Sequence, residues 1–289
     1  MDELIEEFED PMFDAGRDGI IGLDETGRAV ACGTVTRSSI NETIVWIQLE
    51  GTVHPDRRGE GIGTILLDWQ ERRGLQQLAA SEETLPGWLT ADVSEHAVAA
   101  AHLLTAQGFH GVRWWFDMER DLSAPLPDVA LPADVRLVDY TPDTSEAARV
   151  AFNEAFRDHW GSQPHTAEEW AKSDKRSEFR ADLSTLVSVA NGNADEEIAA
   201  VLSTEVPEHE WEARGSKFAH ISGVAVRRPW RGRGIARALI VNAMHAYRDA
   251  GLEVAALSVD TENPTGALGL YESLGFAPTE RSTTFIKAF

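Results

Sequence analysis

The most constraining feature of this 289-residue chain is a strand-like run, His220-Ile-Ser-Gly-Val-Ala-Val226, that leads through a short turn into Arg231-Gly-Arg-Gly-Ile-Ala236 and then a helix-patterned segment. Ile235, Ala238, Leu239, Ala243 and Ala246 share one helical face, and Gly251 is placed to stop the helix. Gly232 and Gly234 carry no side chain that would hold an anion off the backbone. The first N–H groups of a helix point outward there, and the helix dipole favours negative charge. Arg231 and Arg233 add positive charge beside that place. Taken alone, these residues suit either a basic strand-to-helix turn or a cradle for a diphosphate. They do not suit a dinucleotide fingerprint, because Arg237 takes the position of its third glycine. A nucleoside triphosphate loop would need Gly-Lys-Ser/Thr, which does not follow.

Residues 253–259 read as the next buried strand, and Asn263-Pro264 as a turn with Pro264 near a first helical position. Ala267, Leu270, Tyr271 and Leu274 then share a helical stripe that Gly275 ends. By itself Tyr271 is either a core aromatic or a positioned phenol.

In order and spacing, the strand, the loop Arg231-x-x-Gly234-x-Ala236 and the run Asn263-x-x-x-Ala267-x-x-x-Tyr271-x-x-x-Gly275-Phe276 resemble the Gcn5-related N-acetyltransferase (GNAT) superfamily. The resemblance implies an α/β (α+β) fold with a mixed, mostly antiparallel central sheet flanked by helices. It implies acetyl-CoA as acetyl donor, no metal, and a small-molecule amine as acceptor. On this resemblance, backbone groups of Val224, Ala225 and Val226 meet the acetyl and pantetheine portions. The amides of Arg231, Gly232, Arg233, Gly234, Ile235 and Ala236 hold the pyrophosphate, Asn263 contacts the cofactor arm, and Tyr271 protonates the departing thiolate. A thiol leaving group (pKa about 8.5) gains from a phenol donor (pKa about 10) as the carbon–sulfur bond breaks. Backbone N–H groups at a splayed strand can hold a tetrahedral oxyanion. Many members of the family place Glu where this chain has His220. A histidine can serve as the base, since its pKa lies near neutrality. Glu205, Glu208 and Glu210 compete for that role.

A repeat is visible as well. His54-Pro-Asp-Arg-Arg58-Gly-Glu-Gly61-Ile-Gly63 follows the strand-like run Ile44 to Val53 and has the same Arg-x-x-Gly-x-Gly/Ala form. Ile62, Ile65, Leu66 and Trp69 supply its helical face. Leu103 to Phe109 mirrors Leu270 to Phe276, and Gly19 to Val35 mirrors Leu183 to Thr204. Val53, Arg58, Gly59, Gly61, Ile62 and Gly63 thus form a second candidate cofactor site. Leu104 takes the place of Tyr271, and Glu60 that of Arg233, so only the second copy is chemically complete. Such a tandem with a disabled first copy resembles the mycothiol synthase branch of the superfamily. The expected organisation is a degenerate domain over 1–122, a Pro-rich linker over 123–134 and a catalytic domain over 135–289. Met1 to Val53 is much shorter than Val135 to Val226, so the first copy is expected to lack its opening strand and helix, with residues 1–10 as a helical tail. Either a late start or an open sheet edge would account for this.

Composition narrows the partners. Net charge is −22, from 26 basic against 48 acidic residues, which disfavours nucleic acid and suits either attraction of cationic amines or simply a solubilising surface. No long apolar run or signal-peptide pattern occurs, so no membrane partner is expected and the location is expected to be cytoplasmic. Cys32, the sole cysteine, excludes an internal disulfide and is expected to pack within its apolar run. The acceptor groove is expected over residues 144–182, with His159 and Trp160 at a helix end before Gly161 as its lining; Phe152 and Phe156 are expected in the core. A non-catalytic acyl-CoA-binding module is the alternative. A phenol at the thiol weighs against it.

Overall fold

The computed structural model describes residues 13–38, 41–157, 159–190, 196–263 and 265–289. The helical tail expected over 1–10 and the role expected of Pro264 lie outside these described residues. The chain divides into two compact units, 1–114 with 281–289, and 115–280.

The first unit contains α1 (Ala15–Asp18), β1 (Gly19–Leu23), β2 (Ala29–Arg37), β3 (Val45–Val53), α2 (Ile62–Ala79), β4 (Gly87–Ser94) and α3 (Val98–Ala106). Strands β1, β2 and β3 pair antiparallel, and β3 pairs parallel with β4. The end of the chain supplies the next strand: β11 (Ala277–Ala288) pairs antiparallel with β4 from Ser282↔Ser94 to Ala288↔Trp88. Ile47, Leu67, Leu89, Leu104 and Phe109 form the core. Helix α2 is rotated from the face expected of it. Leu66 is buried, but Ile65 is 72% exposed. The cause is polar: Gln70 Nε2 donates to the Glu50 carbonyl at 2.6 Å and Gln77 Nε2 to that of Val35 at 3.1 Å. Cys32, expected to pack, is exposed instead, because it is an outward residue between the buried Ala31 and Gly33 of β2.

The second unit carries β6 (Val135–Asp139), α4 (Pro142–Phe156), α5 (Ala167–Ser173), β7 (Thr185–Ala190), β8 (Glu196–Glu205), α6 (Trp211–Arg214), β9 (Phe218–Val226), α7 (Ile235–Asp249), β10 (Val254–Asp260) and α8 (Ala267–Ser273). Its sheet runs β5-β10-β9-β8-β7-β6, where β5 (His110–Asp121) passes through the 114/115 boundary. Only β9/β10 is parallel among these pairs. The Pro-rich stretch 123–134, expected as a linker, lies inside this unit, where Leu126, Val129 and Leu131 pack on the core. Strand alternation divides the interior in two. Val187, Leu202, Ala219 and Ile221 meet Ile235, Leu239 and Tyr247 of α7 on one face. Leu186, Val201 and Ala225 meet Ala148, Ala151 and Ala155 of α4 on the other. Alanines on that helix let it lie close to the sheet. A Cβ on Gly223 would stand 2.6 Å from the Phe152 ring, and Phe152 in turn stacks on Phe156 at 4.3 Å. No helix among the described residues is long and apolar enough to cross a membrane.

Gly223→Ala therefore overpacks the α4 face. Thermal or urea denaturation should show a loss of about 1–3 kcal/mol, and unchanged stability would contradict this close approach.

Candidate active site

Strand β9 parts from one neighbour and slips against the other near its middle. Its parallel pairing with β10 runs from Phe218↔Val254 to His220↔Ala256, and among the described residues goes no further, although β10 continues to Asp260. On the other edge the register with β8 slips: Ile221 faces Thr204 and Gly223 faces Ser203, so Ser222 is passed over as a bulge. The slip is pinned from β8. Thr204 N–H donates to Ser184 Oγ at 2.9 Å, its carbonyl accepts from Arg180 N–H at 3.0 Å, and its hydroxyl lies 2.6 Å from the Tyr247 hydroxyl. Burial pushes the Tyr247 phenol pKa well up, so it remains a neutral hydrogen-bonding group. The bulge also resets the alternation. Ala219 and Ile221 face α7, as Val224 and Val226 do further on, whereas Gly223 and Ala225 face α4.

Where β9 and β10 part, a cleft of about 650 Å³ opens. Its lining includes Val224, Ala225 and Val226 from β9, Arg231, Gly232, Gly234, Ile235 and Ala236 from the loop and α7, and Asn263 and Tyr271 around α8. His159 lines it as well. Gly232 and Gly234 sit at φ 74° and 79°, which L side chains rarely adopt, and no atom crowds the place of a Cβ at either. Their requirement is therefore conformational: two left-handed residues turn the chain so that α7 starts at Ile235, and Ile235 and Ala236 line the cleft.

The loop arginines do not behave as simple charges beside an anion. Arg231 Nε donates to the Val226 carbonyl at 2.9 Å and its Nη2 to the Ala155 carbonyl at 2.7 Å, fastening the end of β9 and the end of α4 to the loop. Arg233 is outside the lining and pairs with both carboxylate oxygens of Asp134, at 2.7 and 2.6 Å. Asn263 spends its side-chain oxygen on its own turn, accepting from Thr265 N–H at 2.9 Å and Thr265 Oγ1 at 2.6 Å.

Tyr271 is buried, edge-on to Phe276 at 5.9 Å, and open to the cleft. Burial pushes its phenol pKa up to about 12, so the hydroxyl keeps its proton at neutral pH. His220 lies outside the lining, four residues before Val224, where β9 still pairs with β10. Burial lowers its pKa against the pull of Glu205 and Asp117, which leaves the imidazole neutral at pH 7. Glu205 is its cross-strand neighbour. Of the pair expected to line an acceptor groove, His159 reaches this cleft with its ring 5.3 Å from Phe156, and Trp160 is not in the lining. Sequence reasoning passed over Phe156, Trp230, Arg237, Thr265 and Leu270 as cleft residues. Trp230 had a legible signal, as an aromatic immediately before the loop arginine.

The first unit repeats the frame without the chemistry. Arg58 Nε donates to the Val53 carbonyl at 3.2 Å, matching Arg231 and Val226. Gly59 and Gly61 have φ 83° and 82°. Phe109 N–H donates to the Leu104 carbonyl at 3.0 Å, as Phe276 N–H does to that of Tyr271 at 3.1 Å. Yet Leu104 is a buried hydrocarbon, and β3 runs against β2 in unbroken register from Val53↔Ala31 to Ile47↔Arg37, with no bulge. A Cβ on Gly63, the counterpart of Ala236, would already meet Leu103 at 3.4 Å.

Residues 146–276 match the profile described as the acetyltransferase (GNAT) family. A mycothiol acetyltransferase of Frankia casuarinae is 31% identical over 246 residues, covering 82% of this chain and 67% of that protein. The matched region thus spans about two thirds of the length of such relatives. The crystal structure of a GCN5-related N-acetyltransferase from Sphaerobacter thermophilus superposes with a TM-score of 0.78 at 26% identity, covering 99% of this chain and 85% of that one. A tandem GNAT protein from the clavulanic acid biosynthesis pathway shares the fold, with a TM-score of 0.60 at 17% identity over 92% and 81% of the two chains.

The fastening role of Arg231 is directly testable. Arg231→Lys cannot bridge two carbonyls and should lower stability by about 2 kcal/mol; a melting temperature equal to the parent's would refute it.

Proposed function

The chain belongs to the GNAT family of acetyltransferases, and we propose that its second unit transfers an acetyl group from acetyl-CoA to the amine of a small molecule. The observation that carries this is a single cleft lined by the parted β9 strand, the glycine loop and a phenol that keeps its proton. The amides from Gly232 to Ala236 hold the pyrophosphate of the donor, and the pantetheine arm runs between β9 and β10 in place of the ladder that stops at His220. The amine attacks the thioester carbonyl, and the Val224 region of β9 supplies backbone N–H to the developing oxyanion. As the tetrahedral intermediate collapses the carbon–sulfur bond breaks, and Tyr271 gives its proton to the sulfur. A pKa of about 12 suits that step: the phenol is fully protonated beforehand, and the thiolate is formed in an apolar setting that favours its neutralisation.

The attacking amine must be neutral, and His220 is the base we assign to it, acting directly or through water. Its imidazole is buried enough to be neutral, with Glu205 and Asp117 near enough to stabilise the cation formed on proton uptake. Those carboxylates, with Glu210, also favour a protonated amine approaching this side of the sheet. Relatives that carry the name mycothiol acetyltransferase put the precursor amine of mycothiol first among acceptors to try. With His220 in the place commonly held by Glu, other amines belong in the same panel.

Release of free thiol from acetyl-CoA with a panel of amines tests the reading. Turnover on at least one amine is expected, and donor binding without turnover on any would favour a sensing module. Tyr271→Phe should retain donor affinity while kcat falls about 10²-fold; full activity would remove the phenol from the mechanism. The pH profile carries a sign. His220 must be neutral, and its pKa is lowered from the ordinary 6.5, so kcat/KM should climb through an acidic limb below pH 6.5 and level above it. His220→Gln should abolish that limb, whereas an unchanged limb would move the base to one of the nearby glutamates.

A further inference from the structure

We propose that Asp134 and Arg233 form an exchangeable latch for the phosphate end of the donor, in which Arg233 leaves Asp134 for a donor phosphate while still stacked on Trp230. The proposal rests on the reading of the donor as a coenzyme A thioester. Its basis is the unequal commitment of the loop cations. Arg231 is fastened to the carbonyls of Val226 and Ala155, and turning it away would leave both without that donor. Arg237 is held by Ser273 Oγ at 2.9 Å. Among the described residues Arg233 has Asp134, at 2.6 Å, as its charged partner, in a pair with side-chain exposures of 35% and 59%. Exposed ion pairs contribute little and are readily exchanged. A diphosphate arriving at Gly232 and Gly234 offers more charge than one carboxylate, in a geometry a guanidinium can meet with two bonds.

Trp230 supplies the pivot. Its ring centroid lies 4.9 Å beneath the Arg233 guanidinium carbon, and the same indole lines the cleft beside Arg231 and Gly232. A guanidinium can rotate over an indole face and keep its cation–π contact throughout. The partner change therefore needs only side-chain rotation and no backbone movement.

The first copy provides an internal comparison. Arg57 and Glu60 occupy the positions of Trp230 and Arg233, and Arg57 grips Glu60 with Nε at 3.0 Å from both oxygens and Nη2 at 2.9 Å from one. The loop geometry thus brings the same two positions together in both copies. In the first it closes an ion pair on itself and puts a carboxylate where a phosphate would lie. In the second it presents a cation on an aromatic platform, with the competing carboxylate on a separate element. Asp134 is then an affinity-setting residue: the Arg233 guanidinium holds its carboxyl below the usual carboxylate range, so at neutral pH it always competes.

Calorimetric titration of the full chain with coenzyme A, and with pantetheine as a phosphate-free probe, tests the latch. Asp134→Asn should bind coenzyme A about 3- to 10-fold more tightly at low salt, lose most of that gain at high salt, and bind pantetheine as the parent does. Arg233→Ala should weaken coenzyme A about 10-fold with pantetheine again unchanged and with the parent's melting temperature. Unchanged or weaker coenzyme A binding in Asp134→Asn overturns the latch, as does an equal shift for both probes. If the parent binds pantetheine and coenzyme A equally, the donor reading itself fails, which is a separate result from a latch that does not open.

Discussion

The second unit depends on a β9 backbone that is left unpaired on one edge and out of step on the other. A strand inside a sheet normally spends every N–H and C=O on its neighbours. Here β10 departs after Ala256 and β8 slips at Thr204, so from Ile221 to Val226 the β10 edge of the strand is left outside that ladder, while Gly223 to Val226 stay paired with β8 on the other edge. Such a segment is costly unless it is held open, and the holding groups are visible. Ser184, Thr204 and Tyr247 fix the slip from one side, and Arg231 ties the strand end from the other. The cleft is thus a built feature of the sheet.

The two copies show which parts of this arrangement are architecture and which are chemistry. Both keep the arginine-to-carbonyl tie, the left-handed glycines and the glycine stop before the following strand. Only the second has a bulge in the strand before the loop, the phenol and, at the position of Arg233, a cation paired with a carboxylate from outside the loop. The shared features fix backbone path, which any copy needs in order to fold. In the proposed function the others act on the donor, and they are what the first copy lacks.

Much of this was legible in the sequence because glycine spacing and helical stripes are local. Gly232, Gly234 and Gly275 each mark a position where the backbone itself demands glycine, and Tyr271 follows from the spacing to Gly275. What was not legible is long-range. Nothing in the local pattern says that Arg231 will turn back to Val226 and Ala155, or that Arg233 will meet Asp134 ninety-nine residues away. The division at 114/115 and 280/281 is of the same kind. Strands β5 and β11 each run through one of these boundaries, and which strand each of them pairs with is a tertiary choice. Helix α2 makes the point from the other direction: an apolar stripe predicted Ile65 inward, and two buried glutamines reaching for sheet carbonyls turned the helix instead.

Amide chemical shifts, followed by nuclear magnetic resonance on uniformly labelled protein as acetyl-CoA is added, test the central claim most directly. The account predicts that the amides of Gly232, Gly234, Ile235 and Ala236 move strongly and saturate together with those of Val224 and Val226. A titration that perturbs the amides of Gly59 to Gly63 while leaving residues 232–236 in place would contradict it.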